Sequence, residues 1–375
     1  MGRLFLGLLY FAKSFYLRLP HLYFMKTLVK VWALALILGS CGGAKEVQIQ
    51  TLRPADITVA PVIQTLLLVD RTHVDRNDWL AIGEGILTGE LPYEDRAAAQ
   101  EALNALKNKL QESPRFQIKI ARERLKGNSL SSAFPDPLPW DEQRRLLQRY
   151  QADALISIEI MDSDFIITRG KRKVTEEIER NNQTVEVERD EFYAEGVANI
   201  KMGFRLYYPG NRQIIDQQLI NETRTWQSAA RSKAEAAAQL ISKSRATQVL
   251  CAQAGTDYAF KLAPLPIALK RTFYTKSKKS VALEQGARMA EVDDWTNAIS
   301  TWKKGIENAV EPKDQGRMAL NIAVGYEVLG QFENARAWAQ KAYVQYGNKQ
   351  AKGYLDRLMH RIEQENRVEV QMQKE

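Results

Sequence analysis

Apolar residues change their spacing along the chain, and each change predicts a different kind of structure. From residue 63 to about residue 160, short apolar runs such as Thr65–Asp70 and Ala154–Ile160 alternate with segments of helical period such as Tyr93–Leu110. Apolar runs of this length, separated by helices, are typical of strands that are buried on both faces of a sheet. The order of strand, helix, strand, helix and strand therefore predicts a layered sheet.

Alternation of apolar and polar residues replaces this pattern after Asp162. It is clearest over residues 198–208, and after the turn signal Pro209-Gly210-Asn211 the chain is predicted to return as an antiparallel strand over residues 214–226. Charged residues predominate between Arg169 and Glu191, which predicts an extended and solvated hairpin. A helix is predicted over residues 229–253.

Small residues recur at helical spacing in the last quarter of the chain. Ala335, Ala339 and Ala342 follow Leu329-Gly330, as expected for two helices that pack closely across a glycine turn. This spacing resembles the tetratricopeptide repeat, whose period is roughly 34 residues. A weaker copy spans residues 286–305, and a third, partial helix is predicted over residues 351–365. An ordinary helical hairpin with alanine contacts is the alternative.

The first 41 residues resemble a bacterial lipoprotein signal peptide. The apolar run Val31–Leu38 follows Lys26 and Lys30 and leads into Leu38-Gly39-Ser40-Cys41. This run is much shorter than the roughly 20 residues that a membrane-spanning helix needs. We therefore predict that residues 1–40 are removed and that Cys41 is acylated. A start at Met25 gives a signal of ordinary length, so residues 1–24 are interpreted as a misassigned start, with a real but unusually long leader as the alternative.

Charge and cysteine content narrow the possible functions. Residues 1–40 contain five Lys or Arg and no acidic residue, so their removal lowers the formal charge from +8 to +3. A nearly neutral chain does not predict a nucleic-acid partner. Cys251 is the only cysteine left besides Cys41, and we expect it to be a small buried apolar residue. His73 and His360 are too few for a Cys/His metal site, and no cofactor is predicted.

The candidate catalytic motifs are weak. The loop Gly83–Glu90 lacks the Gly-Lys-Ser/Thr ending of a phosphate-binding loop and the spacing of a dinucleotide fingerprint. Acid pairs such as Glu84/Glu90 or Asp162/Asp164 could hydrolyse glycosides only if they faced each other in a cleft. A protein without catalytic activity is therefore favoured. A glycan-binding protein or hydrolase with its cleft near residues 83–90 is the alternative.

These patterns predict an α+β chain with separate parts. We expect a flexible tether over residues 41–58, a mixed α/β domain with long antiparallel hairpins over residues 59–262, and a linker over residues 263–281, where Pro264 and Pro266 cannot sustain a helix. A tetratricopeptide-like helical domain is predicted over residues 282–365, followed by a polar tail over residues 366–375.

The helical domain also provides a candidate binding groove. Because residues three and four apart lie on one side of a helix, a helix that begins near Gly316 would share one inner face. The predicted partner-binding residues on that face are Arg317, Leu320, Val324 and Glu327. Repeat grooves of this kind bind peptides or partner helices.

Several short motifs resemble an uncharacterised family of outer-membrane lipoproteins from Bacteroidota. They are the lipid-attachment motif followed by Thr51-Leu52-Arg53-Pro54-Ala55, Leu66-Leu67-Leu68-Val69-Asp70-Arg71-Thr72, Leu87-Thr88-Gly89-Glu90, Ser113-Pro114-Arg115-Phe116 and Tyr208-Pro209. The resemblance implies a location and an architecture, without an activity. More loosely, the α/β half is similar in element order to the curli-secretion pore subunit and to activators of peptidoglycan synthases, which is an analogy of fold alone.

Taken together, the chain is predicted to be a lipid-anchored outer-membrane protein that faces the periplasm. Its predicted partners are the membrane, through the lipid on Cys41, and an unidentified envelope protein or peptide that binds the helical domain.

Overall fold

The computed structural model describes residues 43–72, 92–127, 133–180 and 183–373. They divide into two compact units. One comprises Gln50–Ala268 and the residues from Glu363 onward, and the other comprises Leu269–Ile362 with the described residues up to Ile49. The first contains a mixed sheet with helices and the second is mainly helical, so the predicted α+β class is confirmed.

A five-stranded sheet forms the centre of the first unit. Its strands are β2 (Thr65–Asp70), β3 (Gln117–Ile120), β4 (Ala154–Arg180), β5 (Gln183–Tyr208) and β6 (Gln213–Ala230), in the order β3-β2-β4-β5-β6. Strand β2 pairs in parallel with β3 and β4, whereas β4, β5 and β6 pair antiparallel. The predicted strand over residues 65–70 is confirmed, but β4 continues far beyond the predicted end at Ile160.

Four helices cover this sheet: α1 (Pro92–Leu110), α2 (Trp140–Tyr150), α3 (Lys233–Gln239) and α4 (Lys243–Leu262). Apolar residues of α1 and α4 share the larger core with alternate residues of β4 and β5, and α2 packs with residues of the opposite face. Cys251 is buried in α4, as predicted. The single helix predicted over residues 229–253 is wrong, because Ser232 and Ser242 each cap the start of a separate helix by accepting a hydrogen bond from a backbone N–H.

Among the described residues, five helices contribute to the second unit: α5 (Val281–Ala290), α6 (Trp295–Asn308), α7 (Pro312–Val328), α8 (Phe332–Val344) and α9 (Gln350–Met372), whose residues from Glu363 onward belong to the first unit. Helices α7 and α8 meet at Gly330, whose φ of 72° lies in the left-handed region that favours glycine. Ala335, Ala339 and Ala342 are buried, in agreement with their predicted packing role.

The predicted flexible tether and the predicted linker both contain strands. Strand β1 (Ala44–Arg53) and strand β7 (Leu265–Tyr274) form a two-stranded sheet, and each contributes residues to both units. The Thr275 N–H also donates a 3.0 Å hydrogen bond to the Gly43 carbonyl. The segments over residues 41–58 and 263–281 are therefore not flexible connections along their lengths.

The predicted polar tail is also largely ordered. Helix α9 continues to Met372, and the Gln371 side chain accepts a hydrogen bond from the Ala55 N–H and donates one to the Ala55 carbonyl. Its side-chain amide therefore replaces a strand partner for this part of the chain. Among the described residues, no helix is both long and apolar enough to cross a membrane.

Candidate protein-interaction surface

The groove predicted on α7 is filled by the chain's own residues. Leu320, Val324 and Glu327 are buried inside the helical unit, and only Arg317 keeps a partly exposed side chain. The Asn321 side chain, on the same helix, accepts a hydrogen bond from the Tyr274 N–H and donates one to the Tyr274 carbonyl, each 2.7 Å long. Strand β7 therefore occupies the place that we predicted for a peptide partner.

Glu327 lies at the centre of a buried network of charges. Its carboxylate accepts hydrogen bonds from the Arg271 Nε (2.9 Å), the Arg361 Nη1 (3.0 Å) and the Tyr354 hydroxyl (2.8 Å). Burial and the adjacent Glu327 carboxylate raise the pKa of Tyr354, which keeps its hydroxyl a donor. We call these four residues the Glu327 cluster. Its carboxylate is fully engaged within the protein, so Glu327 is corrected from a partner-binding residue to a structural one.

A second buried carboxylate lies in the first unit, near the carboxyl end of β2. The Glu159 carboxylate accepts hydrogen bonds from the side chains of Ser157, Arg205 and Tyr207, and it forms an ion pair with the Arg71 Nη1 at 3.2 Å. Burial and the adjacent Glu159 raise the pKa of Tyr207. The carboxyl ends of parallel strands often hold ligands. Here, however, each carboxylate oxygen already has two partners. We call Glu159 and these four residues the Glu159 cluster, and we assign it a role in stabilising the fold.

Sequence reasoning missed both clusters, although a signal was present. Glu159 and Arg205 interrupt apolar runs in two segments that were both predicted to be strands, and Glu327 was placed correctly on the inner face of its helix. A buried charge is costly unless it is paired. Opposite charges inside two buried runs therefore indicate an internal ion pair.

The most exposed element of the first unit is a two-stranded ribbon, which we call the arm. Pairing between β5 and β6 ends at Phe192 with Ala230, whereas β4 and β5 remain paired from Arg172 with Glu191 to Arg180 with Gln183. The arm therefore consists of residues 172–180 and 183–191, and it extends about 30 Å beyond the end of β6 at the usual rise per residue. The predicted solvated hairpin is confirmed.

The two faces of the arm differ in character. One face carries Val174, Ile178, Val185 and Val187 among charged residues, because residues that pair across an antiparallel ribbon point to the same side. Val185 and Val187 are 41% and 38% exposed. The other face is almost entirely polar, with ion pairs such as Lys173 with Glu188 at 3.2 Å. The arm thus presents apolar side chains to solvent without burying them in a core.

The outer edge of β4 has no neighbouring strand over most of its length. Strand β2 pairs with β4 only as far as Ile158, and among the described residues no strand pairs with this side of β4 from Ser163 to Arg180. We call these residues the free edge. Ile166 and Ile167 lie on it and are 54% and 45% exposed. A long unpaired edge is a template for pairing with another chain.

The remaining predicted sites are not brought together. Cys41 and the Gly83–Glu90 loop lie outside the described residues, and so do Glu84 and Glu90. Asp162 and Asp164 are exposed on one strand, and no cleft encloses them. In the part of the chain that the structure describes, no group of three or more His, Cys, Asp or Glu residues could hold a metal ion.

Comparison with protein families assigns most of the first unit to a known group. A family model described as a domain of unknown function, DUF8603, matches residues 63–274, which is more than half of the chain. The chain belongs to the DUF8603 family. A second model, the domain of unknown function DUF6340, matches residues 284–363 of this DUF8603 chain. The DUF8603 match includes β7 and ends at Tyr274.

Comparison with individual proteins adds little. No curated protein matches this DUF8603 chain. Two structures of the PelC dodecamer from Paraburkholderia phytofirmans are similar, one of them of a point variant. The variant is 14% identical and covers 56% of this chain and 96% of that chain, with a TM-score of 0.23. The other is 11% identical and covers 58% and 99%, with the same TM-score. Similarity this low carries no information on function.

Proposed function

We propose that this protein is a lipid-anchored envelope protein that acts by binding other proteins through the arm, without catalysing a reaction. The observation that carries the proposal is the arm itself. A two-stranded ribbon whose residues belong to none of the hydrophobic clusters of the described residues gains little stability from its own contacts. Its exposed valines and charges are therefore best explained by contact with a partner.

The proposed anchor has a geometric consequence for the start of β1. Only Gly42 lies between Cys41, the proposed acylated residue, and Gly43. The Gly43 carbonyl accepts a hydrogen bond from the N–H of Thr275, the residue that follows β7. Two residue steps span at most about 7 Å. On this proposal, the lipid holds the first residues of β1 close to the membrane surface. The outer membrane, facing the periplasm, remains the proposed location.

The anchor is tested by changing the acylated residue. We expect Cys41→Ser to move the protein from the membrane fraction to the soluble fraction, because several acyl chains would be lost and each buried methylene contributes about 0.8 kcal/mol. A variant that still sediments with membranes would contradict the anchor.

The arm is tested by replacing residues 172–191 with Asn-Gly, which would join Lys171 to its paired residue Phe192 through a two-residue turn. The core of the first unit makes no use of the arm, so circular dichroism and the melting temperature should change little. Capture of partners in cells should be lost.

Site-specific photo-crosslinking provides the matched comparison. A photoreactive residue at Val185, in the arm, should give cross-linked products in cells. The same residue at Val310, which is 95% exposed in the helical unit, should give none of these products. Products from both positions, or from Val310 alone, would refute the arm as the binding element.

A further inference from the structure

The free edge of β4 contains two adjacent blocks of opposite charge. The basic block is Arg169, Lys171, Arg172 and Lys173, and the acidic block is Glu176, Glu177 and Glu179. Val174 and Thr175 separate the blocks. All of these residues lie on the part of β4 that pairs, within the described ranges of the chain, with a strand on one side only.

We propose that the free edge of β4 pairs antiparallel with the same edge of a second copy of this chain, with the two-fold axis at Val174. This inference rests on the proposed function, because it names the partner of the arm. Residues 168–180 of each copy would then form one ladder. Val174 faces its counterpart, and the charged pairs across the interface are Arg172 with Glu176, Lys171 with Glu177, and Arg169 with Glu179.

The charge order favours a second copy over an unrelated strand. An antiparallel two-fold pairing places the basic block of one copy opposite the acidic block of the other, so one sequence supplies both halves of the match. A foreign strand would need the complementary order independently. Opposite charges directly across a ladder are favourable, whereas like charges are not.

Contacts inside one copy leave the acidic block incompletely matched. Glu177 faces Glu186 across the arm, which places two carboxylates opposite each other. Lys171 pairs with Asp190 at 2.7 Å, and both side chains are about half exposed. Pairing with a second copy would place Lys171 beside Glu177 and so supply a cation to this acidic position.

The face of the arm that carries Val174 and Ile178 is compatible with the register of the proposed ladder. The ring of Tyr193 covers Gly170 so closely that a Cβ at Gly170 would lie 2.4 Å from it. In the proposed ladder, Ile178 of the second copy faces Gly170 on the same side of the sheet. Ile178 would therefore pack beside the Tyr193 ring, which can lie over the strand because Gly170 has no side chain.

Disulfide trapping tests the register. The sample is the mature chain with Cys41→Ser, in which the remaining cysteine, Cys251, is buried. Val174→Cys should form an interchain disulfide on mild oxidation, because residues directly opposite each other bring their Cβ atoms within reach of a bond. Thr175→Cys, one position along, should not, since it would face Lys173 of the other copy. Cross-linking of Thr175→Cys and not of Val174→Cys would overturn the proposed register.

Charge reversal tests the pairing of the blocks. One variant combines R169E, K171E and R172E, and the other combines E176K, E177K and E179K. Each variant alone should be monomeric by light scattering, because like charges then face each other. An equal mixture should form a heterodimer, since one edge is now acidic and the other basic. Absence of this heterodimer, with both variants folded by circular dichroism, would overturn the proposal.

The outcomes separate this inference from the proposed function. A wild-type chain that stays monomeric at about 100 µM, where even a weak complex would form, refutes pairing with a second copy. If photo-crosslinking at Val185 then captures a different envelope protein, the arm is still the binding element. If the arm neither pairs nor cross-links, both proposals fail.

Discussion

Glu327 shows how far one buried charge determines the stability of the helical unit. Replacing it with Gln removes the carboxylate charge that faces the buried Arg271 and Arg361 guanidinium groups. Breaking a buried pair by removing one partner costs about 3–5 kcal/mol. We expect Glu327→Gln to lower the free energy of unfolding by this amount in urea denaturation.

The matched control is Glu333→Gln on α8. Glu333 pairs with Arg336 at 3.7 Å with an exposed side chain, and surface pairs contribute about 0–1 kcal/mol. An equal and small effect of the two substitutions would show that the Glu327 cluster is not a stabilising network.

Glu222, on β6, predicts a dependence of stability on pH. Burial and the Asp257 carboxylate on α4 raise the pKa of Glu222 above its usual 4.5. The folded state therefore holds this proton more tightly than the unfolded state, so the contribution is present below the unfolded-state pKa and is lost as the pH rises through the folded-state pKa. We expect Glu222→Gln to raise the melting temperature at pH 7 and to have no such effect at pH 4.

Asp257→Asn should act in the same direction, because it removes the other half of the repulsive pair. A melting temperature that rises equally at both pH values would point to a packing effect instead.

Elements with a strong local pattern were predicted well from the sequence. Strand β2 begins and ends where it was expected, helix α1 differs from its predicted range by one residue, and the charged hairpin was recognised from its composition. These segments carry their period within a few residues. Local spacing alone was therefore enough to define them.

Strands β1 and β7 were missed because their alternation of buried and exposed residues does not follow an alternation of apolar and polar residues in the sequence. In β7, Leu265, Arg271 and Phe273 are buried on one side, but Arg271 interrupts the apolar pattern and Pro266 suggests a break. Proline is tolerated near the start of a strand at a sheet edge. The buried arginine is explained only by Glu327, which lies more than 50 residues later and could not be inferred from the local sequence.

Two glycines in helices are expected to respond in opposite ways to substitution by alanine, because one lies at the contact between α1 and α4 and the other lies in α9 with space around it. A Cβ at Gly255 would lie 2.2 Å from the Ala102 carbonyl oxygen, so Gly255→Ala must push two helix backbones apart. Overpacking costs about 1–3 kcal/mol. Gly353→Ala, in α9, meets nothing closer than Arg357 at 3.7 Å. It should stabilise its helix by about 0.5–1 kcal/mol.

Urea denaturation of the two variants, Gly255→Ala and Gly353→Ala, measures the free energy of unfolding and so checks both predictions. Destabilisation by Gly353→Ala, or tolerance of Gly255→Ala, would mean that the helices pack differently from the description above.

The helical unit as a whole needs residues that lie before the predicted domain. Phe273 packs edge-to-face on Trp295 with ring centroids 5.5 Å apart, and Arg271 binds Glu327. A fragment of residues 282–365 lacks both. We expect it to melt at a lower temperature and less cooperatively than a fragment of residues 263–365, which retains β7.

The longer fragment with Phe273→Ala should melt between the two. Identical melting of all three fragments would show that the helices are stable without β7.

The binding site was harder to predict than the fold, and for a definite reason. Helical periodicity placed Arg317, Leu320, Val324 and Glu327 on one side of α7, which is where they lie. Periodicity says that a side is shared, but it cannot say what covers that side. The covering strand comes from a distant part of the sequence. The arm, in contrast, was recognised as exposed because its charges are local.

The pairing of β1 with β7 also imposes an order of events on biosynthesis. More than 200 residues separate the two strands, so β1 is made first and its hydrogen-bond partners are made much later. On the proposal that Cys41 is acylated, the cysteine stays accessible to the processing enzymes throughout export, because the adjacent strand cannot close before residue 274 has arrived. A chain that stops before β7 would be anchored with β1 unpaired. Such an unpaired edge would be a template for pairing with another chain.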